Sequence, residues 1–288
     1  MKKDTAANNG FPALPKIDRL VGINIVDVVV VVVDSYEVAM IHALDHVVIL
    51  VEQLASAIAA YTAAGFVVAP GGEHADGATH NALISFPDGT YLELIAFRRP
   101  APEHRWWRHV AAGPGLIDFA LLPTNTTIAV ATAADRGLMM NGPVPGGRIR
   151  PDGISLAWET AWPPSPDLPF LCGDVTDRAY RVPDADFWGH SNGAKGIAEV
   201  VVAVTDLVAS VGRYAALLGV TPQAFPAEAR IRLGESEIVL RGPDSGDPHV
   251  LDRLTRRGEG ICAITLKGLQ FPDLSPQLGA AIMAAPIA

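Results

Sequence analysis

A chain that repeats its own pattern must fold into matching units, and this one repeats at an offset of about 153 residues. Leu44-Asp45-His46-Val47-Val48-Ile49-Leu50-Val51-Glu52-Gln53-Leu54 falls on Ile197-Ala198-Glu199-Val200-Val201-Val202-Ala203-Val204-Thr205-Asp206-Leu207, and Tyr61 falls on Tyr214. A weaker echo sets residues 113–121 against residues 258–266. Internal repetition constrains architecture more than any single motif does.

The repeating unit reads strand, helix, strand, strand, strand. Residues 43–51 are β-branched and apolar, and residues 53–64 carry Leu54, Ile58 and Tyr61 at helical spacing. Gly65 follows where a helix takes a left-handed terminal residue. Residues 66–69 predict a short strand, Pro70-Gly71-Gly72 a turn, and residues 79–86 a strand. Pro87-Asp88-Gly89-Thr90 predicts a hairpin turn before a last strand over residues 91–97. One βαβββ unit presents a curved sheet face but cannot close a barrel alone.

A second unit is expected from Leu116, with a helix over 126–140 and a chain break at 143–147. A strand over 154–162 then sets Trp158 and Trp162 on one face and Glu159 on the other, and a closing strand covers 168–173. A third unit spans 196–242. A fourth begins after a short helix at 249–257, with a strand over 260–267, and has too few residues to finish. The expected fold class is α+β, with repeated βαβββ modules forming curved mixed sheets and helices outside. The expected organisation is an extension at 1–40, a two-module domain at 41–182, a third module with a truncated fourth at 196–268, and a fraying tail at 269–288. Residues 1–16 are polar and predict disorder, while 20–33 are apolar but interrupted by Asn24 and Asp27, too short to span a bilayer. Met40 stands directly before the first module and is the expected natural start, which makes residues 1–39 an upstream extension.

The strand around His46, the segment Thr79-His80-Asn81-Ala82-Leu83-Ile84, and Tyr91-Leu92-Glu93-Leu94-Ile95 together resemble a glyoxalase-like domain of the vicinal oxygen chelate superfamily, which includes glyoxalases, ring-cleaving dioxygenases and fosfomycin-resistance proteins. The resemblance covers roughly residues 41–268.

Strand parity puts His46 on one face with Leu44, Val48 and Leu50, and Glu93 on one face with Tyr91, Ile95 and Phe97. A histidine and a carboxylate inside apolar strands are costly unless they meet each other or a metal. The resemblance implies metal ligands from the first and fourth strands of a module, positions that His46 and Glu93 match. Asp118 matches the first strand of the second module, whereas Phe170 and Cys172 stand where its fourth-strand carboxylate belongs, and Glu159 lies on the neighbouring strand. Imidazole with carboxylate suits Zn, Mn, Fe, Ni or Co. Glu93 is also the catalytic candidate, as ligand or base. His80, Asn81 and Trp158 are the expected substrate contacts, with a solvent-capped strand-end histidine as the alternative for His80. Trp106 and Trp107 are expected in a linker helix, and His74 and Asp76 in a solvated loop. Glu199 and Val239 in the third module predict no second metal site.

The net charge of −9 argues against nucleic acid and anionic membrane surfaces as partners. Two cysteines cannot make a disulfide framework, and no P-loop, His-Glu-x-x-His or Gly-x-Ser-x-Gly element is present, so no nucleotide cofactor is expected. With no signal peptide evident, the expected location is the cytoplasm. An apolar sheet edge in the truncated half predicts a homodimer. Two functions follow from the resemblance. One is a divalent-metal enzyme of lyase, isomerase or dioxygenase type acting on a small oxygen-bearing substrate. The other is a metal-free protein of the same fold that binds a small molecule or antibiotic.

Overall fold

The computed structural model describes residues 40–150, 152–271 and 273–285. The expectations for residues 1–39, disorder at 1–16 and an upstream extension, lie outside them. The first module is β1 (Ile41–Leu50), α1 (Leu54–Ala63), β2 (Ala69–His74), β3 (Thr79–Ser85) and β4 (Tyr91–Phe97). A 3-10 turn at Trp107–Ala112 leads into the second, formed by β5 (Gly115–Pro123), α2 (Thr126–Asp135), β6 (Asn141–Ile149), β7 (Ser155–Trp162) and β8 (Phe170–Asp174). The eight strands close a barrel in the order β1-β4-β3-β2-β6-β7-β8-β5. After α3 (Arg178–Arg181), the third module comprises β9 (Gly196–Ala203), α4 (Leu207–Leu218), β10 (Gln223–Ala224), β11 (Glu228–Leu233) and β12 (Ser236–Arg241). Then come α5 (Pro248–Arg257), β13 (Gly260–Lys267), α6 (Ser275–Leu278) and β14 (Ile282–Ala284), and these last strands complete a second sheet in the order β10-β11-β12-β9-β13-β14.

The repeat is kept down to register. In the barrel, β1 runs parallel to β4 with His46 opposite Tyr91, and in the second sheet β9 runs parallel to β12 with Glu199 opposite Glu237. β1 and β9 each also pair antiparallel with the first strand of the following module. The unbroken apolar runs have a simple cause: these strands are covered on both faces. Val47 and Ile49 face outward into a core shared with Val200, Val202 and Ile264, while Val48 and Leu50 face the barrel interior. Tyr61 and Tyr214 are buried to the same depth at equivalent points of α1 and α4.

Three local expectations are corrected. Pro70-Gly71-Gly72 is not a turn but lies within β2, where the β2–β3 register slips between Pro70 and Gly72. Gly71 lies so close to β3 that a Cβ there would overlap the Asn81 carboxamide. Residues 143–147 do not break the chain but continue β6. The tail does not simply fray, because β14 adds to the edge of the second sheet, parallel to β13. Proline and glycine read locally as breakers, but a neighbouring strand supplied the pairing that overrode them. No helix of the described residues is long and apolar enough to cross a membrane.

Candidate functional site

The barrel encloses a cavity of about 630 Å³. Alternation along each strand decides what enters it. His46 comes from β1, Asn81 from β3, Tyr91 and Glu93 from β4, Arg148 from β6, Trp158, Thr160 and Trp162 from β7, and Phe170 and Cys172 from β8. His74, the last residue of β2, joins them, and Trp106 closes one end. One wall is therefore aromatic: Trp162 stacks on Phe170 at 4.6 Å, with Trp106 edge-on to both. A charged cluster adjoins it, with His46 edge-on to Phe170 and His74 edge-on to Trp158.

Glu93 is the centre of that charged cluster. Its Oε2 lies 3.5 Å from His46 Nε2 and its Oε1 3.5 Å from His74 Nε2, and Oε1 also accepts a hydrogen bond from Asn81 Nδ2 at 2.6 Å. Behind His46, Asp45 Oδ2 sits 2.7 Å from Nδ1. Adjacent strand residues normally face opposite ways, but the β1–β5 pairing skips Asp45 between Leu44 and His46, and this bulge sets Asp45 beside its neighbour. Asp45 is wholly buried and bound by Arg181 at 2.8 Å and Arg178 at 2.6 Å. Arg181 also binds Asp174 and donates to the Tyr91 hydroxyl.

These contacts sort the titrating groups. Burial opposes ionisation of Asp45, but Arg181 and Arg178 outweigh it and hold the carboxyl well below its ordinary value. Burial likewise disfavours a charged His46, yet its hydrogen bonds to Asp45 and Glu93 raise its pKa above 6.5. Glu93 is pulled down to about 2, because the bond to His46 and the nearby His74 overcome its own burial. His74 moves the other way: burial, joined by the charge of Arg148, lowers it in spite of Glu93. Cys172 is pushed up to about 12 by burial, so its thiol stays protonated.

The second module does not complete a metal centre. Asp118 Oδ2 accepts from Trp106 Nε1 at 2.8 Å and Arg105 at 3.2 Å, and its Oδ1 accepts from the Phe119 N–H at 2.9 Å. Asp118 does not line the cavity, and neither does Glu159. Among the described residues no three His, Cys, Asp or Glu side chains are grouped so as to hold a metal ion. As placed, the donors do not fit the divalent ion that the family resemblance implies.

Of the residues expected from sequence, His46, Glu93, Asn81 and Trp158 line this one cavity, whereas His80 does not. His80 is one residue out of phase with Asn81 and lies on the barrel exterior beside Glu73 and Arg98. Sequence reasoning missed His74, Asp45, Arg148, Arg181 and Trp106. In sequence His74 reads as a loop residue because Gly71-Gly72 hide the strand that carries it, and strand parity alone sets Asp45 on the face opposite His46 until the bulge turns it. The one usable signal was a second histidine within a few residues of the β3 polar pair.

A family model described as "Glyoxalase-like domain" matches residues 44–218, more than half of the chain. No curated protein matches it. Among solved structures, a hypothetical protein from Staphylococcus aureus superposes with a TM-score of 0.67 at 13% identity, covering 86% of this chain and 100% of its own. A mutant of 4-hydroxymandelate synthase from Streptomyces coelicolor superposes with a TM-score of 0.53 at 12% identity, covering 83% of this chain and 75% of its own. At such identities these likenesses speak to the fold alone. With the family match over both barrel modules, the chain belongs to the glyoxalase-like domain family.

Proposed function

We propose that the barrel binds a small, partly aromatic, oxygen-bearing molecule and moves a proton on it, with His74 as base, His46 as acid and Glu93 as the anion that holds both rings. The observation that carries this reading is the single carboxylate shared by two imidazoles whose pKa values move in opposite directions. Titrating groups driven apart in one cleft mark an acid and a base. At neutral pH His74 is uncharged and can accept a proton, and Glu93 stabilises the imidazolium formed. His46, whose hydrogen bonds to Asp45 and Glu93 let it hold its proton to higher pH than a free imidazole, is oriented by Asp45 and can donate to an oxygen that gains negative charge. Glu93, at about 2, is too weak a base to serve alone. The reaction class is proton abstraction beside a carbonyl, on the isomerase or lyase side of the family's range.

The test is proton exchange from phenylpyruvate in D2O, followed by NMR, with metal analysis of the same preparation. Exchange accelerated by the protein should fall by about 10²-fold or more in His74→Ala. Its rate should rise with pH through a limb below 6.5, as His74 loses its proton, and fall through a limb above 6.5, as His46 loses its own. Metal should be well below one equivalent. A stoichiometric ion lost in Glu93→Ala would return the site to a metal enzyme. The aromatic wall favours a second reading, in which the cavity binds a small molecule without turning it over. Tight binding with no exchange would select it.

A further inference from the structure

Among the described residues, every arginine that lines the cavity but one has a carboxylate partner. Arg181 is held by Asp45 and Asp174, and Arg105 by Asp118. Arg148 lines the same cavity, is 5% exposed, and among the described residues has no carboxylate in ion-pair range. Its protein partners are two backbone carbonyls, Gly71 O and Arg181 O, the second at 3.0 Å. A guanidinium carries five N–H groups in a planar fork, so three remain for something else. Glu93 acts on Arg148 through space but forms no ion pair with it, and its oxygens are already contacted by His46, His74 and Asn81. A buried charge without a partner is expensive and is normally kept where a ligand supplies the opposite charge.

Placement says what such a ligand would do. Arg148 pairs with His74 across the β2–β6 ladder, so the two project from one face into the cavity. The charge of Arg148 also acts on Glu93. An anion bound at Arg148 therefore lies beside the histidine proposed as base, and a body attached to it extends toward Trp158 and the Trp162–Phe170 stack.

We propose that Arg148 is the substrate-anchoring residue and that the substrate is a small oxyanion, carboxylate or phosphonate-like, bearing an aromatic or similarly flat apolar body. Two oxygens of such an oxyanion accept two N–H bonds from the guanidinium, which fixes orientation as well as affinity. This rests on reading the cavity as a substrate site, but not on proton transfer there.

The test is quenching of tryptophan fluorescence by three matched probes: phenylacetate, phenylphosphonate and the neutral phenylacetamide. In the native chain at least one oxyanion should bind at least about tenfold more tightly than the amide. Arg148→Met should bring that ratio to near one while the melting temperature shifts by only a few degrees. Arg148→Gln, which keeps donors for the two carbonyls and loses the charge, should do the same and stands in if the methionine variant fails to fold. A ratio near one in the native chain, a ratio preserved in both variants, or no saturation by any probe would overturn the proposal. His74→Ala should keep the oxyanion preference while losing proton exchange, so the anchoring role and the acid–base reading can fail separately.

Discussion

Asp45 is fully buried, carries its charge there, and touches His46, Arg178 and Arg181 at once. Replacing it with Asn leaves two arginines leaning on Asp174 alone. Removing one member of a buried ion cluster exposes the others to desolvation without compensation, so Asp45→Asn should cost about 3–5 kcal/mol at neutral pH, read from urea unfolding. The pH dependence has a definite sign. Asp45 and Glu93 have folded pKa values below their ordinary 3.8 and 4.5, so their contribution is present above those values and is lost as pH falls toward the folded ones. His46 is shifted upward, so its contribution is complete below 6.5 and is lost as pH rises through its folded value. The contribution of these three groups should therefore be greatest near pH 5–6 and shrink on both sides, so the stability gap between the native chain and Asp45→Asn should narrow at both ends. A native profile with no acid limb between about pH 4.5 and 2 would refute this.

Among the elements, β2 shows how a local reading fails. Proline followed by two glycines is a turn signal, yet Pro70 and Gly72 pair with β3, and Glu73 and His74 after them pair with β6 as well. Glycine is needed at 71 because β3 brings Asn81 against its α-carbon. Gly71→Ala should displace Asn81 from Glu93 and cost about 1–3 kcal/mol, a value typical of overpacking. Retention of native stability would show that the strand yields more easily than the geometry implies. The helices offer a milder contrast. Asp206 caps α4 through the Ala209 N–H, and Asn125 caps α2 through the Ile128 N–H, but Gln53 before α1 makes no such bond. Asp206→Ala should lose about 1 kcal/mol and Gln53→Asp should gain up to about the same, both measurable as shifts in the urea midpoint.

Across the whole molecule, the described residues from 40 to 285 form one compact unit rather than a barrel with an appended half. The apolar core runs from Val47 and Phe119 on the barrel exterior into Val200, Ile231 and Ile264 of the second sheet. Arg253 ties α5 to the Leu116 carbonyl of β5, and Lys267 reaches Asp88 in the first module's hairpin. A chain ending at residue 195 would leave the outer faces of β1 and β5 bare. It should aggregate or melt without cooperativity in calorimetry, whereas a sharp native-like transition would show that the barrel stands alone. The inner face of the second sheet is covered by α5, through Val250 and Leu254 against Val201, Ala203 and Cys262. Its outer strands, β10 and β14, are two and three residues long, which is one way a sheet limits edge pairing.

The 153-residue repeat and the two-faced apolar strands determined the module count, the strand parity and the pairing of His46 with Glu93 in one cavity, because a period of two and a burial pattern are written directly into neighbouring residues. Only the tertiary structure decided that His74 joins Glu93, that Asp45 turns inward beside His46, and that Asp118 is taken up by Arg105 and Trp106. Each of these depends on what a distant strand or loop brings alongside: a bulge that breaks parity, a glycine that lets two strands touch, an arginine from outside the module. A buried charge with no carboxylate partner among the described residues, as at Arg148, is likewise invisible in sequence, since that lack is a property of the folded cavity rather than of the residue.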